Sequence, residues 1–333
     1  MLEGFINEAN IVLVVVLLVA GFALLIKGAD CFVDGASSIA RQLCIPGIII
    51  GLTVVAMGTS LPETAVSVTA ALSHNNELAV SNAVGSNIFN TMVVIGVCAV
   101  MTPVAVQKQT VRRDFPFSAV SFLLLLFLGY IGLADARGMI LGRLDGMVLL
   151  VLFAVYIIML VRQAMKARRA GNIVSAVEEE EAYALLPTWK SLLFIIAGGA
   201  AIAFGGDLTV NAASRIATEL GMSQTLVGLT IVSIGTSLPE LVTSIVAARK
   251  GEVDMALGNA IGSNIFNFLM VLGIAAALCP INFIAENIID IVILLALTLL
   301  VWIFAVTGRR IGRKEGCIML LLYAAYAIYI IVR

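Results

Sequence analysis

Read only for hydrophobic and polar positions, the chain is a series of long apolar stretches separated by short polar breaks. Ten stretches come close to the about 20 residues that a helix needs to cross the hydrocarbon of a bilayer. They cover residues 11–33, 47–72, 78–102, 117–134, 144–161, 191–211, 224–248, 254–278, 287–306 and 316–332. None alternates apolar and polar residues as a lipid-facing β-strand does, so the pattern predicts an all-α integral membrane protein with ten transmembrane helices. The residues before the first stretch carry Glu3 and Glu8 and no Lys or Arg. A secretory leader is basic there, so the first stretch reads as an anchor.

Composition supports this reading. Of 333 residues, 61% are hydrophobic and only 12% charged, against about 25% charged in soluble domains, and the mean hydropathy is +1.09. Twenty basic residues face 21 acidic ones, which leaves no basic excess to meet nucleic-acid phosphates. Their placement is uneven. Threaded through ten spans, 16 basic residues fall in breaks after odd-numbered stretches, and only Arg137, Arg143, Arg215 and Arg333 fall on the other side. Basic loops stay cytoplasmic, so both termini are expected outside and the 163–190 linker inside. That linker carries a basic run at Lys166–Arg169 and an acidic run at Glu178–Glu181. It reads as a solvated connection with a basic membrane-flanking end, and it lacks the acidic spacing of an EF-hand. The five cysteines (Cys31, Cys44, Cys98, Cys279, Cys317) show no CxxC pair and read as small packing residues. His74, the sole histidine, falls in a predicted turn.

Sliding the chain against itself gives one dominant offset, 177 residues. Gly51–Leu72 lies over Gly228–Arg249, and Ser73–Asn90 over Lys250–Asn267, with 22 identities in 40 positions. The chain therefore divides into a repeat over 1–162, the linker 163–190, and a repeat over 191–333. Five spans per repeat is an odd number, so the second copy is expected to enter the membrane from the opposite side. Inverted repeats of this kind build secondary transporters, with the site at the midplane between the copies.

The chemistry sits inside the repeat. GTSLPE occurs at Gly58–Glu63 and again at Gly235–Glu240. Pro62 and Pro239 have no N–H, so each kinks its helix and frees carbonyls around Ala56–Thr59 and Ser233–Thr236. In lipid such carbonyls are tolerated only where they line a cavity or bind something. One turn on come the carboxylates Glu63 and Glu240. The following stretches carry NAVGSNIFN and NAIGSNIFN. There Asn82, Ser86 and Asn90, and again Asn259, Ser263 and Asn267, fall every four residues on one helical face. Gly85 and Gly262 allow close helix approach. Carboxylates, amides, hydroxyls and carbonyls without thiolate or imidazole point to a hard cation such as Ca²⁺ or Na⁺. Two buried acids with no Lys or Arg in these stretches carry about −2 at the midplane, a charge that needs a cation. Asp30 and Asp207, also paired by the repeat, read as structural residues that hold a neighbouring helix end or hydroxyl.

With these motifs the sequence resembles the calcium/cation antiporter superfamily, in particular the prokaryotic sodium/calcium exchangers, over nearly its whole length. The resemblance implies a Ca²⁺-preferring position flanked by Na⁺ positions. It implies as ligands the carboxylates of Glu63 and Glu240, oxygens of Thr59, Ser60, Thr236 and Ser237, side chains of Ser86, Asn90 and Ser263, and carbonyls of Ala56 and Ser233. It further implies sodium influx driving Ca²⁺ efflux as the first and sixth helices slide over a fixed core, with no resident cofactor. Asn267, the mirror of Asn90, stands where some relatives carry Asp, including those that co-transport K⁺; the expectation is a site that needs no K⁺. Proton coupling in place of Na⁺ is the alternative, since a buried Glu exchanges either. Another divalent cation also satisfies an all-oxygen site. A hydrolase using Ser60 or Ser237 lacks a base, and a channel would conduct without a counter-ion.

Overall fold

The computed structural model describes residues 4–6, 9–72, 76–131, 139–169, 185–222 and 233–332. His74, the Glu178–Glu181 run, Glu3, Glu8, Arg137, Arg333 and the opening of the seventh predicted stretch lie outside the described residues.

Helix α1 (Ile11–Gln42) starts where the Asn10 side chain accepts the Val12 N–H at 3.0 Å, an N-cap that satisfies one of the donors left over at a helix start. It runs on to Gln42, past the apolar stretch that ends at residue 33, because its polar end finds partners. Lys250 Nζ meets Asp34 at 2.6 Å and Asp30 at 3.5 Å, and Arg41 meets Glu252 at 2.9 Å. The second stretch is two helices, α2 (Gly47–Thr59) and α3 (Leu61–Leu72), bent by 49° at Ser60. The predicted proline kink is there. Helix α4 runs as Asn76–Phe89, a π-helical turn over Asn90–Val94, and Ile95–Met101. Helices α5 (Phe115–Ile131), α6 (Arg143–Arg169) and α7 (Thr188–Glu219) follow. Then come α8 (Leu238–Arg249), α9 (Val253–Leu278, with a π turn over Phe266–Val271), α10 (Ala285–Gly308) and α11 (Arg313–Val332).

Among the described residues seven helices are long and apolar enough to cross a membrane, and the bent α2–α3 pair makes an eighth. Helix also stands in the other two predicted stretches, as α5, of 17 residues, and α8. Apolar side chains such as Val12, Val19, Val151 and Ile196 are more than half exposed, as lipid contact requires. The chain is a multi-pass membrane protein.

The all-α expectation holds, and the described residues add two short antiparallel ladders between helices. β1 (Val104–Ala105) pairs with β4 (Arg310–Ile311), and β2 (Ile140–Leu141) with β3 (Ile281–Asn282). Proline starts one strand of each. Pro103 and Pro280 force the preceding residue out of the helical region, and Thr102 (φ −141°) and Cys279 (φ −142°) are extended. The chain leaves each helix already as a strand.

Helices α1 and α7 lie antiparallel in backbone contact. A Cβ added at Gly28 would stand 3.0 Å from the Gly198 carbonyl, one at Gly205 2.9 Å from the Gly21 carbonyl, and one at Gly35 2.6 Å from the Ser191 carbonyl. Beneath this pair, α2 and α9 touch at Gly258 and Gly262, where an added Cβ would meet the Gly51 Cα at 3.0 Å and the Ala56 Cβ at 2.8 Å. The close approach expected of Gly262 is present, and Met255–Ile265 of α9 is buried throughout.

Candidate ion-binding site

Both GTSLPE motifs sit at a break. In the first copy Ser60 ends α2, and Thr64 N–H resumes bonding at the Ser60 carbonyl (3.1 Å). The Ala56 carbonyl keeps a helical bond from Ser60 N–H at 3.0 Å. The expectation that it is freed is therefore corrected: only its second lone pair is available, because the missing donor belongs to Pro62 and faces Gly58. In the second copy Ser237 N–H turns to the Ile234 carbonyl at 3.1 Å instead of reaching Ser233, four residues back.

The two breaks face each other, and each motif serves the other's carboxylate. Ser60 Oγ donates to Glu240 Oε1 at 3.2 Å, and Ser237 Oγ donates to Glu63 Oε1 at 3.5 Å. These are one contact made twice, since Ser237 lies 177 residues beyond Ser60 and Glu63 lies 177 before Glu240. Ser263 Oγ also reaches Glu240 Oε1 (3.5 Å) and lies 3.4 Å from Thr59 Oγ1. The carboxylates are within electrostatic reach of each other, and both are fully buried.

Several oxygens here are buried with no hydrogen-bond partner among the described residues: Oε2 of Glu63 and of Glu240, Oγ of Ser86 and Oδ1 of Asn90 and Asn267. Buried polar atoms are normally satisfied, so unpartnered acceptors around two carboxylates are what a cation would fill. Among the described residues no three His, Cys, Asp or Glu side chains converge to hold a metal, so an ion here draws on neutral oxygens as well as the two acids. Thr59, Ser60, Ser263 and Glu240 are joined by these bonds, Ser237 with Glu63 stands opposite them, and Thr236 bonds Asn82 Oδ1 on α4 at 3.3 Å. Ser86 and Asn90 stand on α4, one and two turns from Asn82. Asn267 Nδ2 instead donates to Asn87 Oδ1 at 3.1 Å, and the Ser233 side chain lies outside the described residues.

Asn87 and Asn264 escaped the sequence reading. Asn87 donates to the Asn264 carbonyl (3.0 Å) and Asn264 to Thr91 Oγ1 (2.8 Å), so they join α4 to α9 directly beneath the site. Both belong to GSNIFN, one position from the stripe that periodicity picked out. Asn82 and Asn259 were visible in that stripe but without a role. Asp30 and Asp207 stand apart from the cluster: Asp30 holds Lys250 at the end of α8, and Asp207 accepts from Asn211 at 2.9 Å.

The family profile described as sodium/calcium exchanger protein matches residues 13–162 and 190–332. CaxA of Alkalimonas amylolytica is 42% identical over 93% of this chain and 96% of its own. The sodium/calcium exchanger MaX1 of Methanosarcina acetivorans is 31% identical over 94% and 97%. The solved structure of the sodium-calcium exchanger NCX_Mj, soaked with 2.5 mM Na⁺ and 10 mM Sr²⁺, superposes with a TM-score of 0.80 at 31% identity, covering 95% of this chain and 98% of that one.

Proposed function

The chain belongs to the sodium/calcium exchanger protein family, and on that footing we propose that it exchanges Na⁺ for Ca²⁺ by alternating access, with net charge movement. One observation carries this: two buried carboxylates, each bonded to a serine of the opposite motif and each keeping a free oxygen. One Ca²⁺ balances the pair, and so do Na⁺ ions in the same oxygen shell. Occupancy by one species excludes the other, which couples their movements. The ligands are Glu63, Glu240, Thr59, Thr236, Ser60, Ser237, Ser86, Ser263, Asn90 and Asn267, with carbonyls of Ala56 and Ser233. Ca²⁺ and Na⁺ are substrates.

Around this site we place ten spans as two inverted five-helix repeats, 1–162 and 191–333, joined by a cytoplasmic linker at 163–190. Both termini face outward in an inner or plasma membrane, as the basic-residue asymmetry requires.

The test is transport by the whole chain in liposomes. Na⁺-loaded vesicles diluted into Na⁺-free buffer are expected to take up radiolabelled Ca²⁺, with a membrane potential developing in step. Uptake driven by a pH gradient alone would overturn Na⁺ coupling in favour of proton coupling.

A further inference from the structure

We propose that Asn82 and Asn259 are positioning residues that turn the hydroxyls of Thr236 and Thr59 so that their lone pairs face the ion. This rests on the ion-site reading above. A hydroxyl ligates a cation only through its oxygen, so its proton must be held elsewhere. Thr59 Oγ1 donates to Asn259 Oδ1 at 3.1 Å, and Thr236 Oγ1 to Asn82 Oδ1 at 3.3 Å. At the 177-residue offset these are again one bond made in both copies, each crossing from one repeat to the other.

The amide orientation is fixed from behind. Ser244 Oγ gives its own proton to the Ala256 carbonyl (3.4 Å), so towards Asn259 it can only accept, and the amide must offer nitrogen to it (3.0 Å). A second Nδ2 contact, to the Glu240 carbonyl at 3.3 Å, acts in the same sense. Asn82 Nδ2 likewise donates to Ser67 Oγ at 3.2 Å. The donors of Asn259 and Ser244 are spent on Ser244 Oγ and the carbonyls of Glu240 and Ala256, and Thr59, which also lies within hydrogen-bond reach of the Glu240 carboxylate, turns its proton from that carboxylate by donating to Asn259 Oδ1. Without Asn259, the Thr59 proton is left to the Glu240 carboxylate or to the carbonyls of Val55 (3.2 Å) and Ala56 (3.4 Å), all already within its reach. The bond to Ala56 takes up the lone pair that this carbonyl would give the ion. The loss then exceeds one hydrogen bond.

The experiment is a double-mutant cycle on the full chain, read by Ca²⁺ titration and by the half-saturating Ca²⁺ for exchange. Asn259→Leu is expected to raise half-saturation about tenfold, the usual effect of losing a group that orients a ligand, with the saturated rate within about twofold of the parent. Thr59→Val should match it, and the double variant should be no weaker than Thr59→Val alone. Additive losses in the double variant, or a fall in rate at unchanged half-saturation, would overturn the proposal. Asn82→Leu with Thr236→Val repeats the cycle in the other copy, so the proposal stays exposed if one variant fails to fold. Normal flux in Glu240→Gln, measured in the same preparation, would instead bring down the ion-site reading.

Discussion

An ionised carboxylate at the centre of a bilayer costs about 3 kcal/mol when nothing balances it, and Glu63 and Glu240 are both fully buried. Neither forms an ion pair among the described residues, and under the proposed function the transported cation is what balances them. Replacing either by Gln removes charge while keeping shape. Each variant is expected to lose about 100-fold or more in Ca²⁺ uptake, the scale of about 3 kcal/mol for breaking a buried charged contact. Radiolabelled Ca²⁺ uptake checks this. Asn267 contributes a neutral amide where a carboxylate would add charge, so Ca²⁺ flux is expected to be equal with and without K⁺; a flux abolished by omitting K⁺ contradicts it. The acids, serines and threonines of this cluster were legible in the sequence because GTSLPE is written twice. The work of Asn82 and Asn259 was not. Asn259 meets a threonine 200 residues away, and the direction of its amide depends on where Ser244 sends a proton.

Helices bring these residues together through features of uneven visibility. Proline was readable: Pro62 predicts the bend between α2 and α3, and the residues before Pro103 and Pro280 leave the helix extended. The short ladders that follow were not readable, because two residues carry no periodicity. Helix ends were misjudged for a physical reason. Hydropathy ends α1 at residue 33, while the helix continues through Asp34, Ser38 and Arg41, whose polar groups are met by Lys250, Leu186 and Glu252. The glycines of α1 and α7 are seven apart in each helix, at Gly21, Gly28 and Gly35 and at Gly198 and Gly205, and only the structure shows that they face one another. Gly28→Leu would drive a side chain into the Gly198 carbonyl. It is expected to cost about 2 kcal/mol or more of stability, seen as a lower thermal unfolding midpoint in detergent, together with loss of exchange. Gly4→Ala, where nothing lies within 4 Å, serves as the neutral control.

Across the whole molecule the same contacts recur with the two copies exchanged. Ser60 with Glu240 answers Ser237 with Glu63, Thr59 with Asn259 answers Thr236 with Asn82, Asn259 with Ser244 answers Asn82 with Ser67, and β1 with β4 answers β3 with β2. The side-chain pairs, and β1 with β3, follow the 177-residue offset of the sequence, while β2 and β4 stand 170 residues apart. The ion pairs at the end of α1 break the symmetry. Arg41, Asp34, Lys250 and Glu252 correspond by that offset to Thr218, Asn211, Ser73 and Asn75, which cannot form the same pairs. Lys250→Ala is expected to change the ratio of half-saturating Ca²⁺ on the two faces of oriented vesicles, and salt to do the same. The shift should be about fivefold or less, because partly exposed pairs are worth about 1 kcal/mol or less each. An unchanged ratio would show that the pairs are indifferent to the transport cycle. A site that is nearly symmetric thus sits in a scaffold that is not. Where one end carries these charges and its counterpart in the sequence does not, alternating open forms are expected to differ in population, so that identical ligands yield different apparent affinities from each side. Arg41, Asp34 and Asp30 on α1, with Lys250 and Glu252 at the α8–α9 turn, are thereby expected to give exchange a sidedness, a molecular rectifier set by residues outside the ion site.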